Sequence, residues 1–213
     1  MQKLTIKHTK LFALSFLTAA AVGAALWLLL MPQNAKEEIH ASLGNPEAQY
    51  LLAKRLAGGS GVPEDDKAAV GWFRKAAEQN HVKSCMIMAR LYFTGDGVER
   101  SDTEGAKWLQ RAAENGSSFA QAMMGLLYTG GIGVEQNAEQ AVGWLSMSQE
   151  LEADMLMQDL RRNLERINAL PQDDQEKALD TFYARRKLYT GELFTKLMRK
   201  MQQQENKGDD DGN

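Results

Sequence analysis

Ala48, Leu52 and Leu56 fall four residues apart, a spacing that lays them on one stripe of a helix, and the run ends at Gly59 and Gly61. Ser84, Met88 and Tyr92 repeat the stripe before Gly95 and Gly97, and Ala120, Met124 and Tyr128 repeat it before Gly131 and Gly133. A second helical pattern follows each glycine pair: Ala69, Trp72, Phe73 and Ala76, then Trp108, Leu109 and Ala112, then Trp144 and Leu145. The interval of 36 residues holds for Trp72, Trp108 and Trp144, and for Leu56, Tyr92 and Tyr128. The pattern predicts an all-α solenoid of three units, 45–80, 81–116 and 117–149, each a pair of antiparallel helices. Start and stop signals agree. Asn45 precedes Pro46, Ser117 caps the third unit, and Ser101 with Glu104 forms a capping box. Asn80 and Gly116 tolerate the left-handed conformation that ends a helix. Val62 is expected to turn inward as a plug after the first glycine turn, and Ala53, Ala89 and Gly125 recur where helices approach closely.

The Gly-x-Gly pair at Gly95 and Gly97 also resembles the start of a phosphate loop. A dinucleotide loop needs a third glycine where Arg100 stands, and a strand before it. The threefold recurrence decides for an interhelix turn.

Half-units flank the array. Ala41 and Gly44 share the register of Ala77 and Asn80, so 35–44 is expected to be a degenerate N-terminal capping helix. Past Gln149 the glycine turn disappears, and 150–201 reads as C-terminal capping helices: one to about Pro171, a second to about Arg186, and a helical continuation past Gly191. Leu151, Met155, Leu160, Leu164 and Ile167 are expected to cover the open end. Tyr189, Leu193, Phe194, Leu197, Met198 and Met201 form another apolar face, beside Arg185, Arg186, Lys187, Lys196, Arg199 and Lys200. That segment could dock on the array, lie on a membrane or bind a partner helix, and docking is the plainer expectation. The polar tail 202–213 is expected to be disordered.

Leu11–Met31 is a run of 21 uncharged residues, long enough at about 1.5 Å per residue to cross a bilayer core of roughly 30 Å. Lys3, Lys7 and Lys10 lie on one side of it, which keeps 1–10 in the cytoplasm and sends the rest across. The alternative is a cleaved signal, but its apolar stretch is normally shorter and "LWLLLM" would be left at the new terminus. Without those three lysines the chain has 22 basic against 28 acidic residues, which argues against a nucleic-acid grip. One cysteine, Cys85, allows no internal disulfide; it aligns with Gln49 and Gln121 as a small helix residue.

"ARLYFTGDGV" with "WLQRAAENG", and "GVPEDDKAAVGWFRKAAEQN", resemble the Sel1-like repeat, a relative of the tetratricopeptide repeat. The resemblance covers about 45–149 and makes Gly59, Gly61, Gly95, Gly97, Gly131, Gly133, Trp72, Trp108 and Trp144 structural motif positions. The sequence departs from the family pattern at Leu56, where tyrosine is usual, at Gly105, where alanine is usual, and at Ser148–Gln149, where a double alanine is usual. The resemblance implies protein–protein interaction, often in envelope assembly, secretion or signalling. In tetratricopeptide-type solenoids the first helices line a concave groove. Transferred here, that makes Tyr50, Lys54, Lys83, Met86, Arg90, Phe93, Phe119, Ala122 and Leu126 partner-binding candidates. The groove would hold cations and apolar anchors with no carboxylate, suited to a partner carrying acidic and apolar groups. The same side chains could instead pack internally under the C-terminal helix.

No catalytic, metal or cofactor site is expected. His8, His40 and His81 lack neighbours at metal-ligand spacing, and His81 occupies a helix-cap position. Glu64, Asp65 and Asp66 sit at a helix start, where the helix dipole favours them. The expectation is a single-pass protein of a bacterial inner membrane whose periplasmic repeats act as a scaffold or adaptor for a protein or peptide. The alternatives are a small repeat-fold enzyme or binder of cell-wall-derived compounds, whose chains are typically cysteine-rich, and a secreted interaction factor.

Overall fold

A computed structural model describes residues 30–31, 33–59, 64–149 and 151–207. The expected membrane run 11–29, Gly61, Val62 and the last six residues lie outside these, as do the side chains of Leu151, Tyr189 and Met201. Among the described residues every element is helical. They are α1 (Gln33–Ser42), α2 (Pro46–Gly58), α3 (Asp66–Glu78), α4 (Val82–Thr94), α5 (Asp102–Glu114), α6 (Ser118–Gly130), α7 (Ala138–Met147), α8 (Leu151–Asn168) and α9 (Gln172–Lys207). No helix among the described residues is long and apolar enough to cross a membrane.

The pairs α2/α3, α4/α5 and α6/α7 are the three units, and each packs on the next. The N-cap residues act as read, but the expected capping box is only half formed: Ser101 Oγ accepts the Glu104 N–H, whereas the Ser101 N–H goes to Tyr92 O and Glu104 Oε1 takes Lys107 Nζ. Asn45, Asp65, Ser101, Ser117 and Asn137 each accept a backbone N–H from the first turn of the helix they precede. The first helices end at Gly59, Gly95 and Gly131, all left-handed at φ 62°, 83° and 67°. The chain then reverses, and one backbone bond closes every turn. The N–H of Asp65, Ser101 or Asn137 donates to the carbonyl of Leu56, Tyr92 or Tyr128, at 2.9 Å each time. Leucine can therefore replace tyrosine at 56, because the closing bond uses backbone only. Val98 and Val134 pack on the core, the role expected of Val62.

A second periodic bond ties each unit to the one before. Gln49 Nε2 donates to Ala41 O at 3.1 Å, Cys85 Sγ to Ala77 O at 3.4 Å, and Gln121 Nε2 to Ala113 O at 3.2 Å. These buried donors meet carbonyls at the end of the preceding helix, each of which also accepts one backbone N–H from the turn that follows, that of Gly44, Asn80 or Gly116. Because α1 supplies Ala41 to this scheme, it takes the place of the second helix of a preceding unit. Ala41 is buried against Ala48 and Leu52, and Arg55 reaches back to Glu37 and Glu38 at 3.6 and 3.7 Å. Arg111 links units one and two: it stacks on Trp108 at 5.1 Å and donates to Asn80 Oδ1 and Glu78 O, holding Asn80 at φ 62°.

The C-terminal half-unit differs from the sequence expectation in three ways. First, α8 is covered along Ala153, Leu156, Leu160 and Ile167, while Met155 is 70% exposed. The repeat explains the choice, because Leu156, Leu160 and Leu164 stand 36 residues after Ala120, Met124 and Tyr128. This makes α8 a fourth first helix, and Met155 lies off its stripe. Second, the helix expected to about Arg186 and its continuation past Gly191 are a single unbroken helix, the 36-residue α9. Gly191, inside it, has open space around it and causes no break. Third, the expected disordered tail is helical as far as Lys207.

The long helix also leaves the repeat plan. A second helix would pair along α8, yet α9 lies mainly on α6 and touches α8 at few places. Thr190, Leu197 and Met198 are buried there, and Tyr183 Oη accepts the N–H of Ala138 at the start of α7.

Candidate functional site

The candidates lie on α2, α4 and α6, the helices expected to line a concave groove, and the structure splits them into two groups. Phe93, Phe119, Ala122 and Leu126 lie under α9. Phe93 is 6% exposed and meets Phe194 edge-on, ring centroids 4.9 Å apart. Phe119, Ala122 and Leu126 face Leu193 and Leu197 around a small apolar gap. These four are not an open binding surface, because the chain's own helix fills that half of the groove. Two glycines make the fit. A Cβ on Gly105 would come within 2.9 Å of the Phe93 ring, and a Cβ on Gly130 within 2.7 Å of Thr190 Oγ1. The departure from alanine at 105 thus makes room for the ring on which Phe194 packs.

Tyr50, Lys54, Lys83, Met86 and Arg90 form the second group. Tyr50 is buried to its edge, tilted against Phe73 at 6.0 Å and His81 at 5.0 Å. Two ammonium groups approach its ring, Lys54 Nζ at 5.9 Å and Lys83 Nζ at 5.5 Å from the centroid. Lys83 is exposed, and Lys54 and Met86 are partly so. An electron-rich ring between two cations holds both ammonium groups beside one apolar surface. Arg90 differs from its sequence reading, because its guanidinium sits 3.4 Å from Asp96 in the glycine turn. The expected absence of carboxylates fails there and again at Glu47, whose Oε2 is 3.0 Å from His81 Nε2.

His81 holds the cap position as expected, with Nδ1 accepting the N–H of Ser84 at 3.4 Å. Nε2 lies 3.0 Å from Glu47 Oε2, so the ring bridges units one and two beside Tyr50. Sequence periodicity could have pointed to this contact, since both residues stand near the starts of first helices. Trp108 is buried, and Trp72 and Trp144 pack on the core partly exposed. Gly97 and Gly133 are left-handed at φ 68° and 70°, which fits a turn. Burial raises the thiol pKa of Cys85, against a smaller opposing pull from the Arg111 charge. Among the described residues no group of three or more His, Cys, Asp and Glu side chains is placed to hold a metal.

The periodic turns and ties find their counterpart in known proteins. The Sel1 repeat profile matches residues 46–81, 82–117 and 118–148. The crystal structure of a Sel1 repeat protein from Oxalobacter formigenes is 30% identical, covers 59% of this chain and 96% of its own, and superposes with a TM-score of 0.56. The chain belongs to the Sel1 repeat family. A second similar structure is c5321, described as a protective antigen present in uropathogenic Escherichia coli strains displaying an SLR fold. It is 29% identical over 74% of this chain with a TM-score of 0.57, and the match spans 33% of that longer protein. No curated protein sequence matches the chain. Sel1 repeat proteins are generally protein-interaction scaffolds and typically not enzymes.

Proposed function

We propose that this Sel1 repeat chain is a membrane-anchored scaffold whose repeats lie outside the cytoplasm and hold a partner protein on the open part of the concave face. The observation that carries the binding reading is the placement of Lys54 and Lys83 over the Tyr50 ring, beside Met86. Such a patch offers charge to a partner carboxylate and an apolar seat to its neighbour. The covered half supports a helical partner, because the groove already accepts an amphipathic helix there through Phe194, Leu193 and Leu197. Anchoring and topology rest on the uncharged run 11–31 with lysines on one side only.

Two experiments test the proposal. For topology, a phosphatase active only outside the cytoplasm and a fluorescent protein active only inside it are fused in turn after residue 44. Activity of the phosphatase alone is expected, and fluorescence alone overturns the orientation. For the binding face, a photocrosslinking amino acid is placed at position 83 of the full chain in intact cells. A discrete adduct that Lys54→Glu abolishes is expected. An adduct that persists in Lys54→Glu, or none at all, removes this face as the site.

A further inference from the structure

The departure of α9 from α8 toward α6 leaves a cleft between the last two helices. It has two adjoining chambers of ≈ 600 and ≈ 580 Å³, and both are lined by Asp159, Arg185 and Arg186. The Arg186–Asp159 ion pair stands where they meet. Asn163 Nδ2 also donates to Asp159, so the carboxylate at this point is already engaged within the fold.

We propose that this cleft is a docking site for an acidic peptide segment with apolar side chains, supplied by a partner protein. Charge supports that occupant. Arg166, Lys177, Arg185, Arg186 and Lys196 line the two chambers against only Asp159 and Asp174. This cationic excess belongs to a chain whose formal net charge is −3. Arg166, Lys177, Arg185 and Lys196 are exposed on the rims, where guanidinium groups can take a carboxylate through two parallel N–H bonds. The floor is apolar: Ile167 and Leu156 lie at the bottom, 7% and 9% exposed, with Phe182 and Leu193 beside them. Met155 stands at the lip, 70% exposed, an unbranched and adaptable contact for an incoming side chain.

The shape favours a peptide over a lipid surface. A helix that lies on a bilayer presents its apolar residues as a convex ridge with cations at the flanks. Here the apolar groups are recessed and the cations overhang them, so a flat surface would meet the charges and miss the floor. A chain segment can enter the chambers and place acidic groups at the rim. The site also accounts for Met155 and for the basic residues around 185, which the repeat array does not use. It is separate from the concave patch at Tyr50 and does not depend on it.

The test uses the full-length protein in neutral detergent micelles and a short dye-labelled peptide alternating glutamate and leucine, read by fluorescence anisotropy. Controls replace glutamate by lysine, or leucine by serine. The acidic apolar peptide should bind, and both controls should bind weakly. Lys177→Glu with Arg185→Glu should weaken binding about tenfold or more, since like charge then faces the ligand. Met155→Glu should weaken it as well. The same loss from the Lys177 and Arg185 reversals should appear in a Lys54→Glu, Lys83→Glu background, which separates this cleft from the concave face. Helicity by circular dichroism checks folding; if the reversal pair loses helicity, Lys177→Gln with Arg185→Gln replaces it and should also weaken binding. Absence of binding by the parent protein, or no effect of the cleft reversal in the Lys54→Glu, Lys83→Glu background, overturns the proposal. A third overturning result is co-sedimentation of nanodisc-held protein with phosphatidylglycerol vesicles, dependent on Lys177 and Arg185, without peptide binding; the cleft would then serve a lipid surface.

Discussion

Gly130 sits where α9 crosses α6, and replacing it tests whether close packing holds that helix in the groove. A Cβ at 130 would lie 2.7 Å from Thr190 Oγ1 and 3.2 Å from Thr190 Cβ. Rotation about χ1 can move the hydroxyl but not the Cβ, and Thr190 is fully buried. The helix itself must therefore shift. Overpacking of this kind costs about 1–3 kcal/mol. Gly130 is the last residue of α6, so alanine gains less there than the roughly 1 kcal/mol of a helix interior, and the net loss of global stability is about 0–3 kcal/mol. The local effect is larger, because the helix gain belongs to α6 and the clash to the docking of α9. Opening of α9 should become about 5–150-fold more frequent, the factor equivalent to 1–3 kcal/mol. Hydrogen exchange across 190–198 in Gly130→Ala reads this directly, while exchange in α4 and α5 should change little. Thr190→Ala added to Gly130→Ala removes the 2.7 Å contact and should recover part of the protection. Unchanged protection across 190–198, with a melting temperature raised by the helix gain alone, would refute the close-packing argument.

Other outcomes follow from the same geometry. Gly133→Ala should destabilise more than Gly97→Ala although both glycines are left-handed, because a Cβ at 133 would strike Asp102 O at 2.1 Å whereas one at 97 meets only a Val70 methyl at 3.2 Å; chemical denaturation of both variants compares them. Gln121→Leu removes the side-chain donor from the Ala113 carbonyl, which keeps the Gly116 N–H at 3.1 Å, and should cost about 0.5–1.5 kcal/mol, lowering the urea midpoint. Cys85 should resist iodoacetamide in the folded protein and react once denaturant is added, because burial disfavours its thiolate. Its raised pKa also gives a sign to alkaline stability: the neutral thiol's contribution is intact below the ordinary value of 9.0 and is lost as pH climbs from there toward the folded value, so Cys85→Ser should flatten that decline.

Where the sequence was informative, the interaction was local. Asn45, Ser101 and Ser117 act on backbone within three residues, and the glycine turns close on a carbonyl nine residues away, so both could be read from spacing. The interval of 36 carried the rest of the array, because each unit packs on a neighbour built from the same positions. Even α8 was accessible this way: the stripe continued to Leu156, Leu160 and Leu164, hidden only by the loss of the glycine turn that had marked the earlier units.

The fate of α9 was not accessible. Its apolar face, including Leu193, Phe194, Leu197 and Met198, states that the helix needs a cover but not which surface supplies it. Pairing along α8 and crossing α6 bury the same side chains. Tertiary structure chose the second through Gly105 and Gly130, two missing side chains on helices far from α9 in sequence. That choice filled half the concave groove, turned Phe93, Phe119 and Leu126 from candidate contacts into core, and opened the cleft beside α8. A periodic pattern fixes what repeats, whereas the end of the array is decided by steric fit between segments that share no period.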